Sequence, residues 1–247
     1  MGCLSSTRAR GLLCAGFLVF GLVRLAPTCD AALTAGVGAD YYSGPGGQIV
    51  RDVLGTIGST GPRADLTAAV ARYDHSILGP GTSVSAMGSF TVTPTVFIQS
   101  SVTRSVGSND YRAWRLLMGP LFILTQGRWL ALTVSRSQEA NGPMTTGLTS
   151  ELGVALSPRV SGSARASLAS VEGGGTNFLG SAGLFWSPAR RVQLFGELSV
   201  GRDVIGIPQG GGAVRGLPSG SGTSSEALGL EYASGPAFLT GVRFVIR

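Results

Sequence analysis

The only histidine, His75, stands in Tyr73-Asp74-His75-Ser76. It is the side chain best suited to acid–base work near neutral pH or to activating a hydroxyl nucleophile. Its neighbours are the right types for a hydrolase at the wrong spacing. Adjacent residues on a strand point to opposite faces, so Asp74 and Ser76 cannot both orient His75 unless it lies in a loop. We therefore read His75 as a strand-end or loop residue and assign no catalytic residue. Cys3, Cys14 and Cys29 all fall within the first thirty residues, and one histidine with scattered carboxylates makes no metal site. Gly173-Gly174-Gly175 and Gly210-Gly211-Gly212 lack the Lys-Ser/Thr that follows a phosphate-binding loop, and read as loop tips. No cofactor is implied.

What remains is a set of charges on faces that are otherwise small or polar: Glu151, Arg165, Glu197, Glu231 and Arg243. If those faces turn inward in a closed sheet, these residues are the lumen-lining candidates. They can bathe in a water-filled channel or pair with one another, and pairing is the preferred reading because opposite charges in a narrow barrel find each other.

The elements that would hold these charges show an alternating pattern. In residues 237 to 247, Phe238, Thr240, Val242, Phe244 and Ile246 share one face and Ala237, Gly241 and Arg243 the other, a segregation that a helical period would scramble. Residues 190 to 202 put Val192, Leu194, Leu198 and Val200 against Gln193, Phe195, Glu197, Ser199 and Gly201. In 159 to 169 one face is wholly polar: Ser161, Ser163, Arg165 and Ser167. Related patterns occupy 146 to 157, 225 to 233, and the stretch from Gly36 to Tyr41. Tight turns are expected at Thr93-Pro94, Thr125-Gln126-Gly127, Ser157-Pro158 and Ser187-Pro188, alternating with looser segments at 106 to 110, 138 to 143, 172 to 177 and 205 to 222. This is the punctuation of an up-and-down meander. The count comes to thirteen strands, whereas single-chain bacterial barrels are usually even. The ambiguous Gln48-Ile49-Val50-Arg51-Asp52 makes 48 to 58 the segment to discard, leaving about twelve.

Composition supplies the setting. Arg8 and Arg10, the apolar run from Gly11 to Val23, and small residues through Ala31-Ala32 form an export signal. The run is shorter than the roughly 20 apolar residues of a spanning helix. Leu25-Ala26-Pro27-Thr28 before Cys29 departs from a lipidation box, so cleavage near Ala31 or Ala32 is expected, giving a signal peptide at 1-32 and one domain at 33-247. Only 13% of residues are charged and mean hydropathy is +0.30, against about 25% charged in a typical soluble domain. An exported chain this apolar without a spanning helix is expected to be all-β: an up-and-down antiparallel transmembrane β-barrel, the other fold that satisfies its backbone in lipid. Trp114, Trp129 and Trp186, with Tyr41, Tyr42, Tyr111 and Tyr232, lie near strand ends and read as interfacial girdles. The formal charge of +6 comes from scattered arginines, not the clustered basic stripe of a nucleic-acid binder.

The Ser157-Pro158-Arg159 and Ser187-Pro188-Ala189-Arg190 turns, and the closing Gly241-Val242-Arg243-Phe244-Val245-Ile246-Arg247, resemble the small outer-membrane β-barrel families of Gram-negative bacteria, the YaiO-type barrels among them. The resemblance implies an outer-membrane address, lipids of that membrane and the barrel-assembly machinery as partners, and a terminal strand that differs from the usual aromatic ending in closing on Arg247. The functional expectation is a narrow channel or porin-like pore for small solutes. The alternatives are a non-conducting structural or surface-interaction barrel that uses the 205 to 222 loop and, further off, a hydrolase built on His75.

Overall fold

The computed structural model describes residues 32–44, 47–76, 79–108, 111–139, 142–206 and 227–246, with 139, 202–206, 227–235 and 246 described by backbone alone. Residues 1–31, which the sequence reading takes as the export signal, most of the 205 to 222 stretch, and the side chains of Glu231 and Tyr232 lie outside what is described.

Twelve strands follow one another: β1 (Ala32–Ser43), β2 (Ile49–Thr60), β3 (Ala64–His75), β4 (Gly79–Thr93), β5 (Val96–Gly107), β6 (Arg112–Thr125), β7 (Arg128–Glu139), β8 (Met144–Ser157), β9 (Val160–Val171), β10 (Thr176–Ala189), β11 (Val192–Gly206) and β12 (Ala227–Ile246). Each pairs antiparallel with the next, and β1 pairs with β12 from Ala35↔Ile246 to Ser43↔Phe238, so the sheet closes into a barrel without a free edge. It is an all-β, up-and-down barrel.

Alternation decides which way each side chain faces. Val37, Val53, Ile57, Val84, Leu148 and Leu156 are exposed on the outer wall, while Asp40, Asp52, Leu54, Ser85, Thr149 and Glu151, at positions of opposite parity on the same strands, are buried inside. At one end the strands are joined by tight turns at 61–63, Pro94-Thr95, Gln126-Gly127, Pro158-Arg159 and Arg190-Arg191. The last four turns are each preceded by a register shift in the incoming strand. Such a bulge raises the local twist, and in a closed sheet it helps the hairpin turn over. Gly127 has φ +80, which only glycine adopts without cost. Ser157 Oγ accepts from the backbone N–H of Arg159 at 3.2 Å and of Val160 at 3.1 Å, closing its turn in the same way that Thr93 accepts from the Thr95 N–H at 3.3 Å.

Three expectations change. The doubted 48 to 58 segment is a full strand, β2, in register with both neighbours. Its pattern was hard to read because Arg51 lies outward while Val50 and Leu54 lie inward. The surplus strand arose at the other end of the chain, where the two segments read at 225 to 233 and 237 to 247 are joined in a single 20-residue strand, β12 (Ala227–Ile246). Ser234-Gly235-Pro236 has the composition of a turn, yet each residue has a partner in β11: Arg202↔Ser234, Gly201↔Gly235 and Val200↔Pro236. Finally, the chain reverses at Arg190-Arg191 rather than at Ser187-Pro188, which sit in the register shift between Trp186 and Ala189. A proline lacking its N–H fits a bulge better than a regular ladder position.

Candidate functional site

The interior is the face on which this chain concentrates polar chemistry. Its walls are small and hydroxylic: Ser83 and Ser85 on β4, Thr103 and Ser105 on β5, Thr133 and Ser137 on β7, Thr149 on β8, Ser161 on β9 and Ser199 on β11 are all buried. Thr149 and Ser167 hydrogen-bond across the β8/β9 ladder at 3.0 Å. Thr103 Oγ1, Ser105 Oγ, both amide atoms of Asn177 and Gln193 Nε2 make no hydrogen bond to another protein group.

Two ionic groups are built on this wall. Glu151 on β8 lies directly opposite Arg165 on β9, and the guanidinium bridges to Glu151 Oε2 and to Glu197 Oε1 on β11, both at 3.2 Å. The second bridge steps over β10, which offers only Ser181 opposite Arg165 and Gly183 opposite Glu197. A larger residue at either place would stand in the way. One cation thus holds apart two carboxylates that would repel each other. Arg115 on β6 is also buried and lies within electrostatic reach of Arg165.

The second group lies at the closing seam. Arg243 on β12 forms a two-pronged ion pair with Asp40 on β1, and its guanidinium carbon sits 4.9 Å from the centre of the Phe195 ring, a cation–π distance. Phe195 in turn stacks on Phe185 with centroids 6.1 Å apart. The pair fits because glycines face it. A Cβ on Gly38 would lie 2.6 Å from Arg243 Cδ, and one on Gly241 would lie 2.1 Å from Asp40 Oδ1. Asp52 stands directly opposite Asp40 on β2, so a second carboxylate adjoins the pair.

The five lumen candidates therefore part company. Glu151, Arg165 and Glu197 come together in one bridge, and Arg243 pairs with Asp40 instead. The backbone of Glu231 lies in β12 opposite Val204, with its side chain outside what is described. Asp40, Asp52, Asp65 and Arg115 also face inward and were not singled out from the sequence. Asp40 was visible on the polar face of the first alternating segment, and Asp52 was hidden in the segment set aside. Arg115 sits in an apolar run whose far end is apolar on both faces, because Leu121 and Ile123 pack inside with Phe97 and Ala131.

His75 ends β3 with its side chain buried, and Asp74 and Ser76 flank it from the outward side of the strand or beyond its end. The aromatic girdle is only partly as expected. Trp114 and Trp186 are 36% and 48% exposed on the outer wall, but Trp129 and Tyr42 are buried inside at 4% and 2%. Alternation rather than closeness to a strand end decides this. Trp129 lies over Gly153, where a Cβ would come within 2.0 Å of its ring.

No known family's sequence profile matches the chain. No curated protein matches it by sequence. Solved structures do match in fold. The KdgM porin in complex with disordered oligogalacturonate aligns over 86% of this chain and 99% of its own at a TM-score of 0.59, with 9% identity. The NanC porin aligns over the same shares at 0.58 and 9% identity. An outer membrane channel from Pseudomonas putida F1 aligns over 89% and 96% at 0.53, with 11% identity. These likenesses establish the class of fold, a closed barrel of the outer-membrane type.

Proposed function

We propose that the chain is a non-enzymatic outer-membrane barrel that forms a narrow, porin-like channel for small solutes. The observation that carries this reading is the radial sorting of the sheet: an apolar outer wall, and an interior of hydroxyls and charges. Kinship in fold with porins and a channel supports it.

Among the described residues the interior carries carboxylates at Asp40, Asp52, Asp65, Glu151 and Glu197 and guanidiniums at Arg115, Arg165 and Arg243. Asp40 and Asp52 adjoin each other across β1/β2 and share one proton, so acid exceeds base by four charges to three, a margin that favours cations over anions in transit. The mid-wall bridges consume most of the arginine charge, and their side chains narrow the path. In this reading Glu151, Arg165, Glu197 and Arg243 line the lumen as structural ion pairs that set its bore. The end of the barrel where β1 meets β2 and β9 meets β10 faces outward from the cell, and the tight turns face the periplasm. The barrel-assembly machinery and membrane lipids are its partners on this account. Membership of the YaiO-type barrels is supported by the sequence pattern alone.

Single-channel recording in a planar bilayer tests the proposal, with reversal potentials measured under a salt gradient. Discrete steps with a cation-side reversal are expected. A folded barrel that yields none would favour the non-conducting alternative, for which the near-complete burial of Arg165 and Glu197, at 4% and 5% side-chain exposure, is the specific argument.

A further inference from the structure

The outer wall has its own charge pattern. Arg51, Arg72, Arg104, Arg112 and Arg136 are exposed on the outward faces of β2, β3, β5, β6 and β7, each in the half of its strand nearer the loops. At matching heights on β8, β9 and β10 the outward positions are Thr146, Leu148, Leu168 and Phe178. β11 also carries Arg202 in its loop half, so arginines at this level are not confined to one arc, and the grouping that matters is local.

The register brings three of them around one aromatic ring. Arg104 stands directly opposite Trp114 across β5/β6. Arg112 is two positions along β6 on the same face. Arg136 is opposite Leu116, one diagonal from Trp114, whose own partner on β7 is Gln138. Direct cross-strand neighbours are about 5 Å apart at Cβ and diagonal ones about 7–8 Å, separations that long guanidinium side chains span. Arginine forks match phosphate oxygens in two-pronged fashion, and a half-exposed tryptophan suits the boundary between headgroup and acyl chain.

We infer that the outward face of β5–β7 around Trp114 is a binding site for the phosphorylated headgroup of a lipid in the loop-side leaflet, held by Arg104, Arg112 and Arg136. The inference rests on the reading that this wall faces a membrane, and it does not require the lumen to conduct. The site is charge-complementary to such a headgroup. Beneath it, Val102, Leu116, Met118 and Val134 offer apolar wall for the acyl chains.

The test uses the full chain refolded in detergent. Binding of bis-phosphorylated lipid A and of its dephosphorylated counterpart is titrated by native mass spectrometry, and folding is checked in every variant by heat-modifiable migration. The wild-type chain should prefer the phosphorylated lipid. An R104Q/R136Q double variant should bind it about tenfold or more weakly, as the loss of two charge-assisted contacts implies. R128Q, which removes an outward arginine from the turn end of the same β7, should leave binding unchanged. If the double variant fails to refold, R104Q and R136Q are measured singly, each expected to weaken binding about threefold. Equal binding of the dephosphorylated lipid, an equal loss in R128Q, or unchanged binding in the arginine-to-glutamine variants would overturn the site. Because each variant is also recorded in the bilayer, loss of lipid binding with conductance intact is distinct from failure of the channel reading.

Discussion

Arg165 holds Glu151 and Glu197 within 3.2 Å on either side, so the three behave as a unit. Removing the cation leaves two buried carboxylates facing each other without compensation, a change that typically costs about 3–5 kcal/mol. Arg165→Met should therefore lower the urea midpoint of the refolded barrel markedly, and a midpoint within error of wild type would show that the bridge contributes nothing. The seam pair offers a sharper contrast. Gly241→Ala would drive a methyl into Asp40 and Phe195, whereas Gly55→Ala meets nothing within 4 Å. Overpacking costs about 1–3 kcal/mol, so the first variant should lose that much and the second should be nearly neutral. Equal effects would mean that the Asp40–Arg243 contact does not depend on the space left by Gly241. At this scale the sequence was legible where alternation was clean, as around Arg165. It was opaque where the partner lay far along the chain: nothing local to Arg243 names Asp40, because strand closure alone brings them together.

At the level of single strands, period-two patterning identified most elements and most faces correctly, including the polar face from Ser161 to Ser167 and the outward row from Val192 to Val200. It failed in physically understandable places. β2 mixes polarity on both faces at its loop end, and β6 is apolar on both faces at its turn end, where Phe97, Leu121 and Ala131 pack together inside the barrel. Ser234-Gly235-Pro236 carries turn chemistry, but pairing along β11 overrides it. The inward Trp129 belongs to this scale too, since β7 presents it to Gly153 on β8. Trp129→Ala should cost about 3–5 kcal/mol in chemical unfolding and widen the turn end of the interior. A rise in conductance with the loss of stability is expected; a destabilised barrel with unchanged conductance would place Trp129 outside the solute path. Gly127→Ala, at φ +80 in the β6/β7 turn with the new methyl 3.0 Å from Ala155 Cβ, should cost about 1–2 kcal/mol, read as a shift in the same unfolding midpoint.

For the molecule as a whole, closure is the fact from which the rest follows. Twelve antiparallel strands sealed by the β1/β12 ladder leave no backbone edge unpaired, which is the condition for crossing lipid with strands. The same closure divides the side chains between an apolar outside, with arginines toward its ends, and an inside rich in hydroxyls and carboxylates. That division was foreseeable from composition and alternation together. The inventory of interior charges was not, because it depends on which strands meet across the barrel. The central claim is that this interior is a continuous, hydrated and cation-favouring path. Its most direct test is the single-channel record of protein first shown by heat-modifiable migration to be folded. The account predicts discrete conductance steps whose reversal potential in a salt gradient lies on the cation side, and a folded barrel that produces no steps, or steps selective for anions, would contradict it.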